Sequence, residues 1–534
     1  MSNAAQACNL SQLLRQTAAL HPDRAGLIQG ERQWTWREID ARVDALVAAL
    51  RRLGIVQGDR LLVQSRNSLA MFESCWVAFR LGAVWVPVNF RLTPPEVATL
   101  GASSGAVAML VDDGFESHVA AVREASPALR HVVSMGDEWE ALVAANRGAP
   151  RLEATVAADD PLWFFYTSGT TGRPKAGMLT HGQMAFVVTN HLADLIPGTS
   201  ERDVSIAVAP LTHGAGIHAL LNVARGAATV LLPSEKLDPA AFWALVERHR
   251  VTNLFTVPTI VKMLVEHPAV DAHDHSSLRY VIYAGAPMYR ADQQRALRTL
   301  GPVLVQYFGL GEVTGCITVL PPSMHSPDDD SPDANVGSCG RPRTGMEVAI
   351  LDADLNPLPA GEVGEICCRG PGVFAGYHDD AEATAKALWG GWFHTGDLGR
   401  VDVRGLLYIT GRESDMYISG GSNVYPREVE EVLLTHPDVA EVAVLGVPDA
   451  KWGEVGVAVV VRRDGAACDA AALLAHLEGR CARYRWPRHV FFWDALPKSG
   501  YGKVTKKDIR EQLFARRELW ESTELGKTRE SAPA

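Results

Sequence analysis

Apolar residues recur along the first part of the chain at two spacings, one typical of amphipathic helices and one typical of short buried strands. One stripe at helical spacing comprises Ile39, Val43, Leu46, Val47 and Leu50. A glycine at position 54 is expected to end this helix. Beyond it the pattern predicts strands over 60–64, 83–88 and 106–111, and helices over 68–81 and from 94 onwards. Strands that alternate with helices predict parallel sheets covered on both faces.

The alternation resumes in the middle of the chain and then changes to a β-rich pattern. Short apolar runs predict strands over 204–208, 228–232, 253–257 and 280–284. From about Gly337 the predicted strands are separated by glycine and proline turns, and they cover 347–351, 364–369 and 406–410. A shorter alternating region has helices near 427–435 and 469–480 and strands near 442–447 and 455–461. This predicts a small C-terminal α/β domain that begins near Asp415, and a charged tail from about Arg516 that frays.

Length and composition narrow the class of protein further. A chain of 534 residues is too long for one core and is expected to divide into domains. The net charge of -11 argues against a general nucleic-acid binder, but it does not exclude an anionic ligand. The eight cysteines are scattered and form neither a disulfide framework nor a zinc motif. With no secretory signal pattern and no apolar run of about 20 residues, the expected location is cytoplasmic, without a membrane span.

A polar loop follows the apolar run 161–166 and precedes a predicted helix over 181–192. It consists of Thr167, Ser168, Gly169, Thr170, Thr171 and Gly172, and Lys175 follows three residues later. Glycines let backbone N–H groups approach an anion, hydroxyls add donors and lysine supplies a positive charge. The loop is therefore predicted to hold phosphate. It is not a Walker A motif, because Gly-Lys-Ser/Thr is absent.

This loop resembles the phosphate-binding signature of the adenylate-forming (AMP-binding) superfamily, which includes acyl-CoA synthetases, luciferases and peptide-synthetase adenylation domains. Further motifs follow in the family's order, at 285–287, 306–312, 392–397, 411–412, 420–430 and 497–504. The resemblance covers nearly the whole chain and is of the acyl-CoA synthetase, or fatty-acid–CoA ligase, type. It implies an α/β fold: a large N-terminal domain of parallel-rich α/β sheets with a β-rich subdomain, and a small mobile C-terminal α/β domain. The expected boundaries are 1–411, a hinge at 412–415, and 416–534.

The resemblance assigns several residues to the nucleotide and its metal ion. Glu312 is the expected Mg²⁺ ligand together with Thr167, since a hard cation prefers oxygen. Phe308 stands where the family usually has tyrosine, and Gly311 replaces a common threonine, so a hydroxyl contact to phosphate is in question. The residues expected to border the nucleotide in these two motifs are Gly285, Ala286, Pro287, Tyr307, Phe308, Gly309, Gly311 and Glu312.

Three further residues complete the expected ATP site. Asp397 matches the aspartate that accepts hydrogen bonds from both ribose hydroxyls, and Arg412 matches a second nucleotide contact. Lys503 matches the lysine that bridges the carboxylate and the α-phosphate, where its charge offsets that of the two approaching anions. Three neighbouring lysines are less well placed in the motif, namely Lys498, Lys506 and Lys507.

The acyl, CoA and hinge positions are also implied by the resemblance. His213 matches a position beside the acyl pocket, although a role in the core is equally open, and Gly309 and Ala284 are the other expected substrate contacts. The loop Gly420-Gly421 is expected to let the CoA arm pass. The pivot of the hinge is either Ser414 or Asp415, and the sequence does not separate them.

The expected reaction has two steps, in which a carboxylate and ATP form acyl-AMP and pyrophosphate, and CoA then takes the acyl group and AMP leaves. ATP, Mg²⁺ and CoA are the expected cofactors and cosubstrates. The alternatives are an adenylating enzyme with a non-CoA acceptor, a luciferase-like oxygenase, a peptide-synthetase domain and a nucleotide-binding regulatory protein. The predicted pocket segments lie around His213 and over 256–260, 284–286 and 308–314. They are mostly apolar and contain no evident partner for a second carboxylate, which favours an aliphatic or aromatic monocarboxylic acid. Chain length and oligomeric state, including a homodimer, stay open.

Overall fold

The structure is a computed structural model that describes residues 6–7, 9–168, 174–286, 288–332, 334–412, 415–419, 422–449, 451–498 and 504–516. Within these residues it confirms the predicted α/β class: large sheets in the N-terminal part and a small separate sheet in the C-terminal part. The described helices are Gln12–Leu20, Trp36–Arg52, Leu69–Leu81, Pro94–Ser104, Glu116–Ala125, Asp137–Ala145, His181–Asp194, Gly214–Val223, Pro239–His249, Pro258–Glu266, Ala269–Ala272, Arg290–Leu300, Ala381–Ala387, Pro426–Leu434, Ala470–His476 and Lys506–Ala515.

The first large sheet has six strands and carries the base of the polar loop. Four of its strands run parallel to one another, and Pro161–Ser168 joins them in parallel to Val84–Val88. Only the edge strand Pro174–Thr180 is antiparallel to its neighbour. In spatial order the strands are Pro174–Thr180, Pro161–Ser168, Val84–Val88, Arg60–Gln64, Ala108–Val111 and His131–Ser134.

The second sheet has thirteen strands and changes character along its width. One half is parallel from Leu304–Phe308 to Ala25–Gln29, and the other half is antiparallel. The edge strand Arg32–Thr35, next to Ala25–Gln29, is also antiparallel to its neighbour. In spatial order the strands are Glu347–Leu351, Gly364–Arg369, Phe393–Val401, Leu407–Arg412, Ser338–Pro342, Thr318–Leu320, Leu304–Phe308, Tyr280–Tyr283, Asn253–Thr256, Val204–Ala207, Ala228–Leu231, Ala25–Gln29 and Arg32–Thr35. The antiparallel half corresponds to the predicted β-rich region.

The C-terminal sheet has five strands and its own apolar core. Its helices pack valines and leucines against both faces of the long hairpin Val439–Asp449 and Gly453–Arg462. The other strands are Ser422–Val424, Tyr417–Ser419 and His489–Phe492. A further two-stranded pair joins Gln6–Ala7 to Val156–Ala157.

The core of the N-terminal part lies where helices of both large sheets meet. The helix Leu69–Leu81 is buried along its whole length, with Ser68 as N-cap and Gly82 in the left-handed conformation at its end. Trp76, Trp85 and Trp163 pack in the same cluster, and all three are at most 2% exposed. Aromatic rings of this size contribute several kcal/mol each, on the order of 3–5 when truncated to alanine. They hold together the helices and strands that carry the site.

Two observations concern the chain as a whole. None of the seven described cysteines forms a disulfide, in agreement with the scattered pattern. In the part of the chain that the structure describes, no helix combines the length and the apolar character that crossing a membrane requires.

Candidate active site

Glu312 lies at the centre of a buried polar group at the end of the strand Leu304–Phe308. It belongs to a short 3₁₀ turn, Gly311–Val313, and is 5% exposed. The Thr167 hydroxyl donates to Glu312 Oε1 at 2.9 Å, and the Tyr377 hydroxyl donates to the same oxygen at 2.8 Å. Glu312 Oε2 makes no hydrogen bond within the described residues. The structure thus brings together the two predicted metal ligands and leaves one carboxylate oxygen available.

The polar loop is anchored by a strand pair that the sequence did not predict. Pro161–Ser168 pairs antiparallel with Pro174–Thr180, and Lys175 lies opposite Thr167 in the register. Lys175 Nζ is 5.3 Å from the centre of the Tyr377 ring, within the range of a cation–π contact. Tyr377 therefore contacts both the loop lysine and Glu312. Tyr377 was not among the predicted site residues, because it lies in an irregular segment with no periodic pattern.

Gly311 is fixed by close packing. A Cβ at this position would lie 2.6 Å from Phe165 Cδ1 and 2.9 Å from Thr167 Cγ2, closer than real Cβ atoms approach. The family's threonine has no room beside this phenylalanine. The departure at position 311 is thus linked to Phe165 and to the placement of Thr167 against Glu312.

Asp397 and Arg412 face each other on adjacent antiparallel strands. The strand Phe393–Val401 places Asp397 opposite Arg412, and Arg412 Nε donates to Asp397 Oδ1 at 3.1 Å. Asp397 is 6% exposed, whereas the Arg412 side chain is about half exposed at 53%. The two predicted ribose-side residues are therefore brought together.

Glu365 supports this pair from the neighbouring strand. Its Oε1 accepts from the Gly396 backbone N–H at 3.0 Å, and its Oε2 lies 2.7 Å from His394 Nδ1. Gly396 has a φ of +68°, a conformation that favours glycine. The turn before Asp397 is thus held from the strand Gly364–Arg369. Glu365 was not among the predicted site residues, although a charged residue inside an apolar predicted strand is a signal that could have identified it.

Aromatic rings line the side of the site expected to hold the acyl group. His213 lies immediately before the helix Gly214–Val223, and its ring is 4.9 Å from that of Phe165. The rings of Phe255 and Tyr307 are stacked, with centroids 5.8 Å apart and an interplanar angle of 18°. A Cβ at Gly214 would lie 2.5 Å from Phe255 Cζ, so these rings continue the surface that begins at His213.

The backbone motifs around this surface are partly described. Ala284 is buried at the end of the strand Tyr280–Tyr283, and Gly285 follows with a φ of +80°. Gly309 packs on the Gly315 backbone, because a Cβ at 309 would lie 2.5 Å from Gly315 Cα. Phe308 packs with the antiparallel half of the sheet, beside Cys339 and Ile350. Ala286 and Asp415 are described as well, and Ser168 only as the end of its strand. The following predicted site residues lie outside the described residues: Gly169, Thr170, Thr171, Gly172, Pro287, Ser414, Gly420, Gly421 and Lys503.

Comparison with known proteins identifies the family. Residues 14–378 match the AMP-binding enzyme family, and residues 428–503 match the AMP-binding enzyme C-terminal domain. The chain is 39% identical to a feruloyl-CoA synthase from Amycolatopsis sp., over 93% of this chain and 97% of the relative. It is 34% identical to an indoleacetate–CoA ligase from Aromatoleum aromaticum, over 96% and 100% of the two chains.

A solved structure supports the same assignment. The anthranilate CoA ligase AuaEII in complex with anthranoyl-AMP superposes with a TM-score of 0.87 at 25% identity, over 96% of this chain and 99% of that one. The chain therefore belongs to the AMP-binding enzymes, the adenylate-forming superfamily, and to its acyl-CoA synthetase type.

Proposed function

We propose that the chain is an ATP-dependent acid–CoA ligase that activates an aryl-substituted monocarboxylic acid. The observation that carries the proposal is the buried Glu312, whose Oε1 accepts from Thr167 and Tyr377, with Lys175 beside the Tyr377 ring. Catalysis by placement and charge neutralisation needs this kind of preorganised site. The relatives named above, all CoA-ligating enzymes, support CoA as the acyl acceptor.

In the first step a carboxylate oxygen of the acid attacks the α-phosphorus of ATP. The bond from the α-phosphorus to the bridging oxygen of the β-phosphate breaks, and pyrophosphate leaves with the electron pair. Glu312 and Thr167 supply the oxygens that would hold Mg²⁺, which when bound offsets phosphate charge. Lys175 lies on the strand that closes the polar loop and adds positive charge there. Lys503 is the lysine proposed to bridge the two anions.

Asp397 and Arg412 are proposed to bind the ribose side of the nucleotide. Asp397 is a buried carboxylate that accepts a hydrogen bond from Arg412, and carboxylate oxygens are acceptors suited to the two ribose hydroxyl donors. The aromatic Phe308 and the backbone at 284–286 are proposed to border the adenine. These assignments place the nucleotide across the junction between the parallel and antiparallel halves of the large sheet.

In the second step the CoA thiolate attacks the carbonyl carbon of the adenylate. The carbon–oxygen bond to AMP breaks, and AMP leaves with the electron pair. The proposal keeps the domains at 1–411 and 416–534, with a hinge at 412–415 about which the C-terminal domain turns between steps. That turn would withdraw Lys503 and present the loop Gly420-Gly421 to CoA. Such a motion gates the second step and does not itself speed bond formation.

The substrate class follows from the wall of rings and from the relatives. Phe255 stacked on Tyr307 offers a flat apolar surface next to His213. Offset or parallel aromatic contacts favour a planar ring over a flexible chain of the same size. The names of the two relatives refer to a feruloyl group and to indoleacetate, and both of these carry an aromatic ring. A cytoplasmic location and a homodimer stay predictions.

The test separates the two half-reactions. Lys503→Ala is expected to lower adenylate formation by on the order of 100-fold or more, the range for loss of one electrostatic contact in a transition state. Thioester formation from supplied acyl-AMP and CoA is expected to change by less than about 3-fold, which is under 1 kcal/mol. Lys498→Ala is the matched control, since Lys498 Nζ pairs with Glu441 at 2.9 Å on the same domain. Equal loss of both half-reactions would remove Lys503 from the proposed role.

A further inference from the structure

Arg343 is a buried arginine whose hydrogen-bonding capacity is largely unused. Its side chain has no exposed surface. Nη1 donates to the Gly315 carbonyl at 3.1 Å, and Nε lies 3.7 Å from Asp194 Oδ2, beyond hydrogen-bond distance. Within the described residues, Nε and Nη2 make no hydrogen bond. Asp194 therefore balances the charge of Arg343 without a hydrogen bond to Nε, and its two oxygens accept from the backbone N–H and the hydroxyl of Thr344.

The loop that Arg343 contacts contains a second unpaired group. Thr314 is 2% exposed, and its hydroxyl makes no hydrogen bond within the same described residues. Thr314 has a φ of +49°, which is uncommon for a β-branched residue. Its carbonyl lies 3.2 Å from His191 Nε2, which fixes the loop from the helix His181–Asp194. Buried polar groups are nearly always paired, so the unused donors of Arg343 and Thr314 mark a place that can bind a polar group of a ligand.

Packing contacts connect Arg343 and the Thr314 loop to the acyl wall, the proposed substrate surface formed by His213, Phe255 and Tyr307. A side chain at Gly315 would collide with the Tyr307 ring, so the loop packs directly on it. Tyr307 in turn stacks on Phe255, which lies against Gly214 next to His213. Arg343 therefore lies behind Tyr307, at the end of the wall away from His213. No cation was predicted in the pocket segments, because Arg343 lies beyond all of them in the sequence, directly after the strand Ser338–Pro342.

A buried guanidinium whose Nε and Nη2 make no hydrogen bond within the described part of the chain is costly, which argues against a purely structural role. Burial lowers the pKa of Arg343, in keeping with this cost. An oxygen acceptor on a ligand would satisfy Nε and Nη2 together, since the guanidinium presents its donors as a planar fork.

We propose that the acid substrate carries an oxygen acceptor at the end opposite its carboxylate, and that Arg343 binds this oxygen. The acceptor is a hydroxyl on the ring, or a second carboxylate, in which case the substrate is an aryl dicarboxylic acid rather than the monocarboxylic acid proposed above. The Tyr307 ring lies between Arg343 and the rest of the acyl wall, so binding of the distal oxygen to Arg343 requires this ring to move. This inference rests on the proposed function and names the distal group of its substrate.

The test uses three ring acids that differ only at the far end: 4-methylcinnamate, 4-hydroxycinnamate and 4-carboxycinnamate. For the wild-type chain, kcat/KM for CoA-thioester formation is expected to be at least about 10-fold higher for one oxygenated acid than for the methyl acid. Arg343→Met is expected to reduce that ratio to within about 3-fold while leaving kcat/KM for the methyl acid within about 3-fold of wild type. A higher rate for hydroxycinnamate indicates a neutral acceptor, and a higher rate for carboxycinnamate indicates an anionic one.

Several outcomes would overturn the inference. A wild-type enzyme that prefers the methyl acid has no distal oxygen site. An Arg343→Met variant that loses activity equally on all three acids shows a structural role only. If that variant does not fold, as judged by thermal melting, Arg343→Lys decides: a ratio unchanged from wild type overturns the planar fork, and a partial loss supports it. Conversion of none of the acids would instead count against the proposed function itself.

Discussion

The Tyr377 hydroxyl shares one carboxylate oxygen of Glu312 with Thr167. Burial and the Glu312 charge raise the pKa of Tyr377, so the hydroxyl stays protonated and donates throughout the neutral range. Tyr377→Phe removes this donor and keeps the ring beside Lys175. Because a hydrogen bond to a charged group contributes about 1.5–3 kcal/mol, the Mg²⁺ concentration for half-maximal pyrophosphate release is expected to change by about 10-fold or more. The direction expected is upward, since the carboxylate is less well oriented.

Two variants show which feature of Tyr377 matters. Tyr377→Leu also removes the ring next to Lys175, and a larger rise in KM for ATP is expected. Tyr408→Phe is the matched control, because the Tyr408 hydroxyl donates to Asp402 at 3.3 Å outside the proposed site. An Mg²⁺ dependence that is the same in Tyr377→Phe and Tyr408→Phe would contradict the proposed role of Tyr377.

Gly311→Thr restores the residue that is common in the family but is expected to be harmful in this chain. The added Cβ would lie 2.6 Å from Phe165 Cδ1, and overpacking of this kind costs about 1–3 kcal/mol. Displacement of Thr167 from Glu312 is expected to lower the adenylation rate by about 10-fold or more. Thermal unfolding and pyrophosphate release measure the two effects. Phe165→Leu combined with Gly311→Thr is expected to recover part of both losses, and a double variant no better than the single one would refute the packing explanation.

Among the elements, the turn before Asp397 depends on the adjacent strand that carries Glu365. Glu365→Ala removes the acceptor of the Gly396 N–H and the partner of His394. Because Asp397 is then less well oriented, KM for ATP is expected to rise by about 5- to 10-fold, or about 1–1.4 kcal/mol, with kcat within about 3-fold. Glu347→Ala is the matched control, since Glu347 forms an exposed pair with Arg369 on the neighbouring strands. Equal KM values in the two variants would show that Glu365 does not position Asp397.

The predictability of elements from sequence depended on whether their signals were local. The helix Leu69–Leu81 was predicted to within one residue, because Ser68 and Gly82 mark its ends. The strand Arg60–Gln64 was predicted with its observed bounds, because its apolar run is short and isolated. The strand Pro174–Thr180 was missed, since its Pro-Lys-Ala-Gly start lacks alternation and its partner lies across the polar loop. Pairings of this kind are set by tertiary contacts rather than by propensity.

The same distinction applies to the site. Glu312, Thr167, Asp397 and Arg412 could be named from motifs, and the structure brings them into two hydrogen-bonded pairs. Tyr377 and Arg343 could not be named, because each enters the site from a distant, irregular segment. The motifs name the residues proposed to bind ATP, whereas the residues that position them, and those proposed to shape the acyl site, depend on the fold.

At the scale of the whole molecule, the proposed reaction has two steps that share one adenylate, and the junction between the N-terminal and C-terminal sheets bears on how one chain performs both. The last strand of the large sheet ends at Arg412, and the C-terminal sheet begins at Tyr417. Few residues are therefore available to absorb a change in orientation. The Asp415 N–H donates to the Arg412 carbonyl at 3.0 Å, so Asp415 is held against the end of that strand.

Proline substitution at the two candidate pivots separates them. Proline fixes φ near −65°, so it blocks rotation at the residue where it stands. At the true pivot, proline is expected to slow thioester formation from supplied acyl-AMP by more than about 10-fold, or 1.4 kcal/mol in the barrier, while adenylation stays within about 3-fold. Ser414→Ala and Asp415→Ala are the controls, because they remove the same side chains without fixing φ. Asp415→Pro also removes the backbone hydrogen bond to Arg412, which Asp415→Ala keeps. Should both proline variants slow the two half-reactions equally, the proposal of a hinge at 412–415 would be refuted.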